Sequence, residues 1–262
     1  MSLKSVDIKR LGDELFRAQR DARMIAPLTD TYTSMTIADG YKIQQQLIAR
    51  RLDAGEHIIG KKVGVTSQAV MAMLKVDQPD FGQLTDRMVV NQGDSIDIST
   101  MIQPKVEGEI AFVLKHDLSG PGVTVPDVLR ATEGIMACLE IVDSRIQDWK
   151  IKIQDTVADN ASCGLFAISD RMVSPSDLDF YTMGMVLEKN GRIVGMGTGA
   201  ATMGSPVVAI AWLANTLGEL GISLKAGEII LSGALSGMVP VGSGDVVQMS
   251  LANVGRCSVL FN

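Results

Sequence analysis

The chain is poor in the residues that most often carry metal and acid–base chemistry. Its 262 residues include only two histidines, His57 and His116, and neither sits in a metal-ligand pair. No histidine zinc site and no Ser-His-Asp triad can be assembled from them. The three cysteines, Cys138, Cys163 and Cys257, are odd in number and form no C-x-x-C pair. That excludes a disulfide framework or a cysteine zinc site, and it points to a reducing, cytoplasmic compartment. There is no dense run of Lys or Arg, and the net charge of -6 argues against nucleic acid or an anionic membrane surface as partner. No stretch approaches the roughly 18 apolar residues of a membrane span. The first twenty residues mix charges of both signs into helical spacing, where a secretory signal needs an apolar core. Acid and base work is left to carboxylates, lysine or bound water.

What is present describes a globular protein, with 46% hydrophobic and 21% charged residues and enough chain to bury a substantial core. Residues 3–24 have the spacing of an amphipathic helix. "TIADGYKIQQQLIARRLDAG" predicts a second, with Thr36 as cap, Asp39 in the first turn, Ile37, Tyr41, Ile48 and Leu52 along one face, and Gly55 as stop. Beyond them "HIIGKKVGV", "VEGEIAFVL", "IMACLEIVD", "GLFAISD", "GMVLEKNGRIVGMG", "EIILSGAL" and "DVVQMSLANVGRCSVLF" read as strands, and Asn190-Gly191 signals a type I′ hairpin. One late helix begins at Ser205-Pro206 and ends near Gly221. Many of the 26 glycines lie beside strands, which suggests a closely turned, bulged β-core. The expected fold class is α+β: a small helical N-terminal region, 1–56, joined to a mixed-β catalytic domain, 57–262.

The stretch "PKVEGEIAFVL" raises the chemical question. In a strand Glu107, Glu109, Ala111 and Val113 share one face, and Val106, Ile110, Phe112 and Leu114 share the other. Two unpaired buried carboxylates on one face repel each other and lose hydration, so they call for a proton or a cation. The plain alternative is an edge strand with that face in water. Some thirty residues on, Glu140 sits inside another apolar strand. Three strand-borne carboxylates with no histidine or cysteine nearby suit Mg²⁺ or Mn²⁺ better than zinc. Lys105 and Arg145, close to Glu140 in sequence, are its alternative partners.

Two polar clusters accompany the carboxylates. Lys61 and Lys62 are adjacent in a strand, so one is expected to face solvent and the other a pocket, where it could steady an enolate or pass a proton; two snorkelling surface lysines are the alternative. In "QDTVADNASCG" Asp155 and Asp159 are candidate caps, and Ser162 or nearby backbone N–H groups could hold a carboxylate, unless the segment is simply a self-satisfied turn. "GMGTGA" lacks the context of a dinucleotide fingerprint and reads as hairpin exit. Trp149 and Trp212 read as core or interface anchors.

Taken together, "GKKVGVTS", "VDQPDFGQLTD", "QPKVEGEIAFVL", "LEIVDSRIQDWKIKIQDTVADNASCG", "WLANTLGELG" and "AGEIILSGAL" resemble the fumarylacetoacetate hydrolase superfamily, and within it the 2-hydroxypenta-2,4-dienoate (2-oxopent-4-enoate) hydratases of aromatic meta-cleavage pathways. The resemblance covers nearly the whole chain. It implies a mixed β-roll core, a Mg²⁺ or Mn²⁺ ion at the positions of Glu107, Glu109 and Glu140, and a small 2-oxo or 2-hydroxy dienoic acid gripped through its carboxylate and 2-oxygen. It places the group's lysine on Lys62 and pocket positions on Asp80 and Ser162. It also implies a homo-oligomer, pentameric or decameric, with room for association with a sister decarboxylase. The rival activity is decarboxylation of 2-oxo-3-hexenedioate (4-oxalocrotonate), which uses the same metal site. A noncatalytic scaffold is the alternative from another class.

Overall fold

The computed structural model describes residues 3–262. Three helices come first: α1 (Ser5–Arg20), α2 (Leu28–Thr31) and α3 (Ile37–Asp53). Helix α1 buries Leu11, Leu15 and Ala18 on one side, with Asp7 in its first turn and Arg17 and Arg20 in its last, as the helix dipole favours. Helix α3 starts with a full capping box: Asp39 N–H donates to Thr36 Oγ1, and Thr36 N–H donates to Asp39 Oδ2, both at 3.1 Å. It ends where Gly55 takes a φ of +88°. Its buried face is Gly40, Ile43, Gln44, Leu47, Ile48 and Arg51, so the expected stripe is rotated; Leu52 is 42% exposed because the helix packs on two neighbours, not one. Leu15, Ile43 and Leu47 share a core with Ile146 and Ala158 of the following region.

The rest of the chain runs β1 (Ile58–Gly64), α4 (Gln68–Leu74), β2 (Asp80–Thr85), β3 (Val89–Asn91), β4 (Ser95–Ile96) and β5 (Lys105–Leu114). It continues through α5 (Val125–Ala131), β6 (Thr132–Val142), α6 (Ile153–Ala158), β7 (Cys163–Ile168), β8 (Gly184–Lys189) and β9 (Arg192–Thr198). Last come α7 (Pro206–Glu219), β10 (Ile229–Leu231), β11 (Val239–Pro240), β12 (Val246–Leu251) and β13 (Gly255–Phe261). One sheet has the order β2-β1-β10-β5-β6-β7-β3, with β11 also on β5; the second is β4-β13-β12-β8-β9. Asn190 and Gly191 both have positive φ, +53° and +73°, as the I′ turn between β8 and β9 requires.

The main core lies between the sheets. Val106, Ile110 and Phe112 of β5 and Leu139 and Ile141 of β6 meet Leu187, Val247, Met249 and Val259 across it. This is the apolar face anticipated from alternation along β5, and its opposite face is therefore the one that carries the glutamates. Helix α7 covers part of the same core with Ile210, Leu213, Ala214 and Leu217, and Trp212 packs beside it half-buried. Ser205 precedes Pro206 as anticipated, but its hydroxyl makes no capping bond. The segment Gly199–Glu219 has the length and apolar composition of a membrane span, yet a turn at 202–204 divides it, and half of its most apolar window is buried within the fold.

Candidate metal centre and active site

Strands β5 and β6 pair antiparallel with Glu107 opposite Glu140 and Glu109 opposite Cys138. The pairing brings Glu107, Glu109 and Glu140 together on one face, with one oxygen of each within 4.8 Å of the others. Glu109 and Glu140 are buried and Glu107 is half-buried, so the solvated edge-strand alternative does not hold. At that separation each ionised pair repels by about 3.5 kcal/mol at an effective dielectric of about 20. Three such pairs would consume most of a domain's net stability of about 5–15 kcal/mol. Burial, reinforced by the charge of Glu140, pushes Glu107 up to about 7 and Glu109 well above the ordinary carboxylate range.

Hydrogen bonding leaves the cluster short of partners. Gly233 N–H donates to Glu109 Oε2 at 2.9 Å. Gly233 has a φ of +106°, and a Cβ there would stand 2.4 Å from Thr66, so only glycine brings this N–H to the carboxylate. Lys62 Nζ lies 3.1 Å from Glu140 Oε1, an ion-pair distance, but it is not aligned as a hydrogen bond, and both Glu140 oxygens remain without a hydrogen-bond partner. Neither alternative partner reaches Glu140. Lys105 Nζ sits over the Trp149 ring at 4.2 Å. Arg145 is fully buried against Asp159 and donates to the carbonyls of Asp143 and Cys163. Three converging carboxylates, two orphaned oxygens and an all-oxygen donor set fit a hard divalent cation.

Strands β1 and β2 build the adjoining wall. Their register sets Lys62 opposite Gly82 and Gly64 opposite Asp80. A Cβ at Gly64 would stand 2.3 Å from Asp80 Oδ1 and 3.2 Å from Lys62 Nζ; the missing side chain makes the space in which these two groups sit. Asp80 is 1% exposed and neither oxygen has a hydrogen-bond partner. Burial raises it to about 6, with Lys62 opposing and Glu140 adding to the rise. For Lys62 burial alone favours the neutral amine, but Glu140 and Asp80 outweigh it, so the ammonium is held above its ordinary range. Neither lysine faces solvent, although one of the two was expected to: β1 is covered on both sides, and Lys61 Nζ is buried against Glu228 Oε1 at 2.6 Å.

The third wall is the polar segment after β6. Asp155 anchors the start of α6, accepting from Lys152 N–H at 3.0 Å and from Thr29 N–H and Oγ1 at 3.0 and 2.8 Å. Asp159 serves as partner of buried Arg145 more than as a cap. Asn160, Ala161 and Ser162 then take positive φ in succession, +55°, +50° and +54°. That costs roughly 1–2 kcal/mol per residue. The turn is held by the Asn160 amide, which accepts from Gln83 N–H at 2.8 Å and donates to Gln83 O at 2.9 Å. Its consequence is that the Ala161 carbonyl accepts from Lys62 Nζ at 3.1 Å. Ser162 lies in this turn, but its hydroxyl is engaged with Thr156 Oγ1 at 3.1 Å. The Ala161 carbonyl carried no signal in the sequence.

Comparison with known proteins agrees with this geometry. Residues 57–260 match the family described as fumarylacetoacetate (FAA) hydrolase C-terminal. The chain is 58% identical over 217 residues to a 2-hydroxypent-2,4-dienoate hydratase of Pseudomonas putida, covering 82% of this chain and 98% of that one. It is 53% identical over 256 residues to a 2-hydroxyhexa-2,4-dienoate hydratase of Comamonas testosteroni, covering 97% of each. Among solved structures, the 4-oxalocrotonate decarboxylase of Pseudomonas putida G7, complexed with magnesium and adipate, superposes with a TM-score of 0.96 at 36% identity, covering 99% of each chain.

Proposed function

Because the chain belongs to the fumarylacetoacetate hydrolase family, we propose that it is a hydro-lyase that adds water to 2-hydroxypenta-2,4-dienoate and releases 4-hydroxy-2-oxopentanoate in aromatic catabolism. The observation that carries the reading is the buried carboxylate trio with Lys62 beside it and Asp80 across the gap left by Gly64. Glu107, Glu109 and Glu140 would hold Mg²⁺ or Mn²⁺. When bound, such an ion supplies Lewis-acid polarisation of the substrate's 2-oxygen.

The chain's own groups account for the proton movements. Hydration first moves a proton: the 2-hydroxyl of the dienol loses its proton and C5 gains one, which gives a 2-oxo-3-enoate; one water then adds, its hydroxide to C4 and its remaining proton to C3. Asp80, raised to about 6, exchanges protons near neutral pH and is assigned this transfer. Lys62 keeps its charge and stabilises the negative oxygen that develops at C2. Ser162 is assigned to substrate binding, exchanging its Thr156 bond for a substrate carboxylate oxygen.

Charge supports hydration over decarboxylation of a diacid. Among the described residues the buried cations are Arg51, Lys61, Lys62 and Arg145, and their partners are Glu56, Glu228, Glu140 and Asp159. Only Lys62 meets the acid cluster, which suits a substrate with one carboxylate. The test mixes the purified protein with Mg²⁺ or Mn²⁺ and freshly generated dienoate, follows loss of its ultraviolet absorbance and identifies the product. Release of carbon dioxide from 2-oxo-3-hexenedioate, with no hydration of the five-carbon acid, would replace this reading by the decarboxylase. The reading extends to a cytoplasmic homo-oligomer, pentameric or decameric, able to associate with a sister decarboxylase; the three free, buried cysteines suit a reducing compartment, and sedimentation checks the assembly. The division into 1–56 and 57–262 is part of the same reading.

A further inference from the structure

We infer that Gln44, on α3, is a positioning residue that holds the strand bearing Asp80 against the segment bearing the Ala161 carbonyl. The inference rests on the function proposed above. Gln44 is 2% exposed, and its single Nε2 donates to two backbone carbonyls, Phe81 O and Val157 O, each at 2.9 Å. Phe81 follows Asp80 directly. Val157 lies in the last turn of α6, three residues before the left-handed turn at Asn160.

Both carbonyls lack partners from secondary structure. Strand β2 is the edge of its sheet, so Phe81 O has no strand beyond it. Helix α6 has six residues, and the carbonyl of its fifth cannot find an intrahelical donor. One side-chain amide satisfies both and thereby fixes their separation. Two other contacts bring α3 to this place. Tyr41, one turn earlier, stacks on Phe81 with ring centroids 4.3 Å apart and planes at 18°. Gly40 lets the backbones close in, since a Cβ there would stand 3.0 Å from Gln154 O and 3.1 Å from Val157 Cγ1.

The mechanical consequence follows from the walls of the site. Lys62 Nζ bonds to the Ala161 carbonyl on one side, and the space left by Gly64 separates it from Asp80 on the other. Asn160 pins the turn to β2 at Gln83, beyond Gly82, and Gln44 pins it at the Asp80 end. Without Gln44 the Asp80 end of β2 keeps its pairing with β1 and the Tyr41 stack but loses its tie to the α6 segment. Glu107, Glu109 and Glu140 sit on β5 and β6, outside this clamp. The N-terminal helices thus act on one wall of the site and leave the carboxylate trio alone, although they precede the matched segment 57–260.

The test uses Gln44→Met, which keeps the shape and removes both donors, with Gln46→Ala as control; Gln46 is on the same helix but bonds Asp13 of α1. Gln44→Met should lower kcat at least tenfold and raise KM severalfold, because Ser162 lies in the loosened segment, with Mn²⁺ affinity by calorimetry changing less than threefold. Amide hydrogen exchange should rise at least tenfold in 80–83 and 157–162, but not in β5 or β6. Gln46→Ala should leave all four readouts unchanged. Should Gln44→Met fail to fold, Gln44→Asn, which reaches one carbonyl only, should show the same pattern with a severalfold loss of kcat. Wild-type kcat in the folded variant, or a fall in Mn²⁺ affinity as large as that in kcat, overturns the inference. If the wild-type protein does not turn over the dienoate, the functional reading fails, and the exchange pattern still decides whether Gln44 is the clamp.

Discussion

Replacing Glu109 by glutamine should make the metal-free protein more stable and the enzyme nearly inactive. Glutamine keeps an acceptor for Gly233 N–H, now at 2.9 Å from Glu109 Oε2, and its amide can donate to Glu140, whose oxygens have no hydrogen-bond partner. The charge on Glu109 faces two other carboxylates within 4.8 Å, and burial, reinforced by the charge of Glu140, holds its pKa well above the ordinary range. Each ionised pair at that separation repels by about 3.5 kcal/mol at an effective dielectric of about 20. Glutamine carries no charge and removes that repulsion. Allowing for relaxation and for burial of its amide, about 2 kcal/mol of added stability is expected, or about 4–8 °C for a chain of this size. In Mn²⁺ the order reverses: the wild type gains about 2.7 kcal/mol at one hundred times its Kd, and Glu109→Gln gains little. Turnover should fall at least about a hundredfold, equivalent to about 2.7 kcal/mol. Urea titrations in EDTA and in Mn²⁺ at pH 7.5 measure both halves. A variant less stable than the wild type in EDTA would refute the charge-repulsion argument, and one that keeps its full Mn²⁺ shift would remove Glu109 from the ligand set.

The remaining predictions concern the walls. Lys62→Met should cut turnover about a hundredfold or more while Mn²⁺ still binds by calorimetry, because the carboxylates stay in place; unchanged kcat would discard Lys62's role. For Asp80, burial with the charge of Glu140 outweighs Lys62 and lifts it from 3.8 to about 6, so the folded protein binds this proton more tightly than the unfolded chain. Its stabilising contribution is present below about pH 4 and is lost as pH rises through about 6, up to about 3 kcal/mol, so Asp80→Asn should flatten that part of the stability profile in EDTA. A wild-type profile that rises over the same interval, with Asp80→Asn unchanged, would oppose this. Gly233→Ala should destabilise by more than about 2 kcal/mol, since its φ of +106° and the 2.4 Å approach to Thr66 leave no room for a methyl group; a wild-type melting temperature would contradict it.

Local rules acted strongly in parts of this chain, and those parts were legible. Alternation along β5 assigned Val106, Ile110, Phe112 and Leu114 to the core, and all are buried. The Thr36–Asp39 box, the Asn190-Gly191 turn and Pro206 at the start of α7 each depend on residues a few positions apart. The carboxylates stood out because charge inside an apolar strand demands a partner. Where a side chain's setting depended on distant chain, local reading failed. One of Lys61 and Lys62 was expected in solvent, but both are buried, and Glu228, far along the sequence, covers Lys61. Strand β2 and helix α6 were not anticipated, since each is short and held from outside by Asn160 and Gln44.

From the sequence alone came the fold class, the apolar face of β5 and the three acidic residues that needed an answer, because side-chain period and the cost of burying charge operate along a single strand. Which oxygens converge, that Glu140 is left to Lys62 instead of Arg145, and that Ala161 turns its carbonyl toward the ammonium were decided only in three dimensions. Those facts depend on the register of β5 with β6 and on three consecutive left-handed residues, and both are set by contacts between segments far apart in the chain.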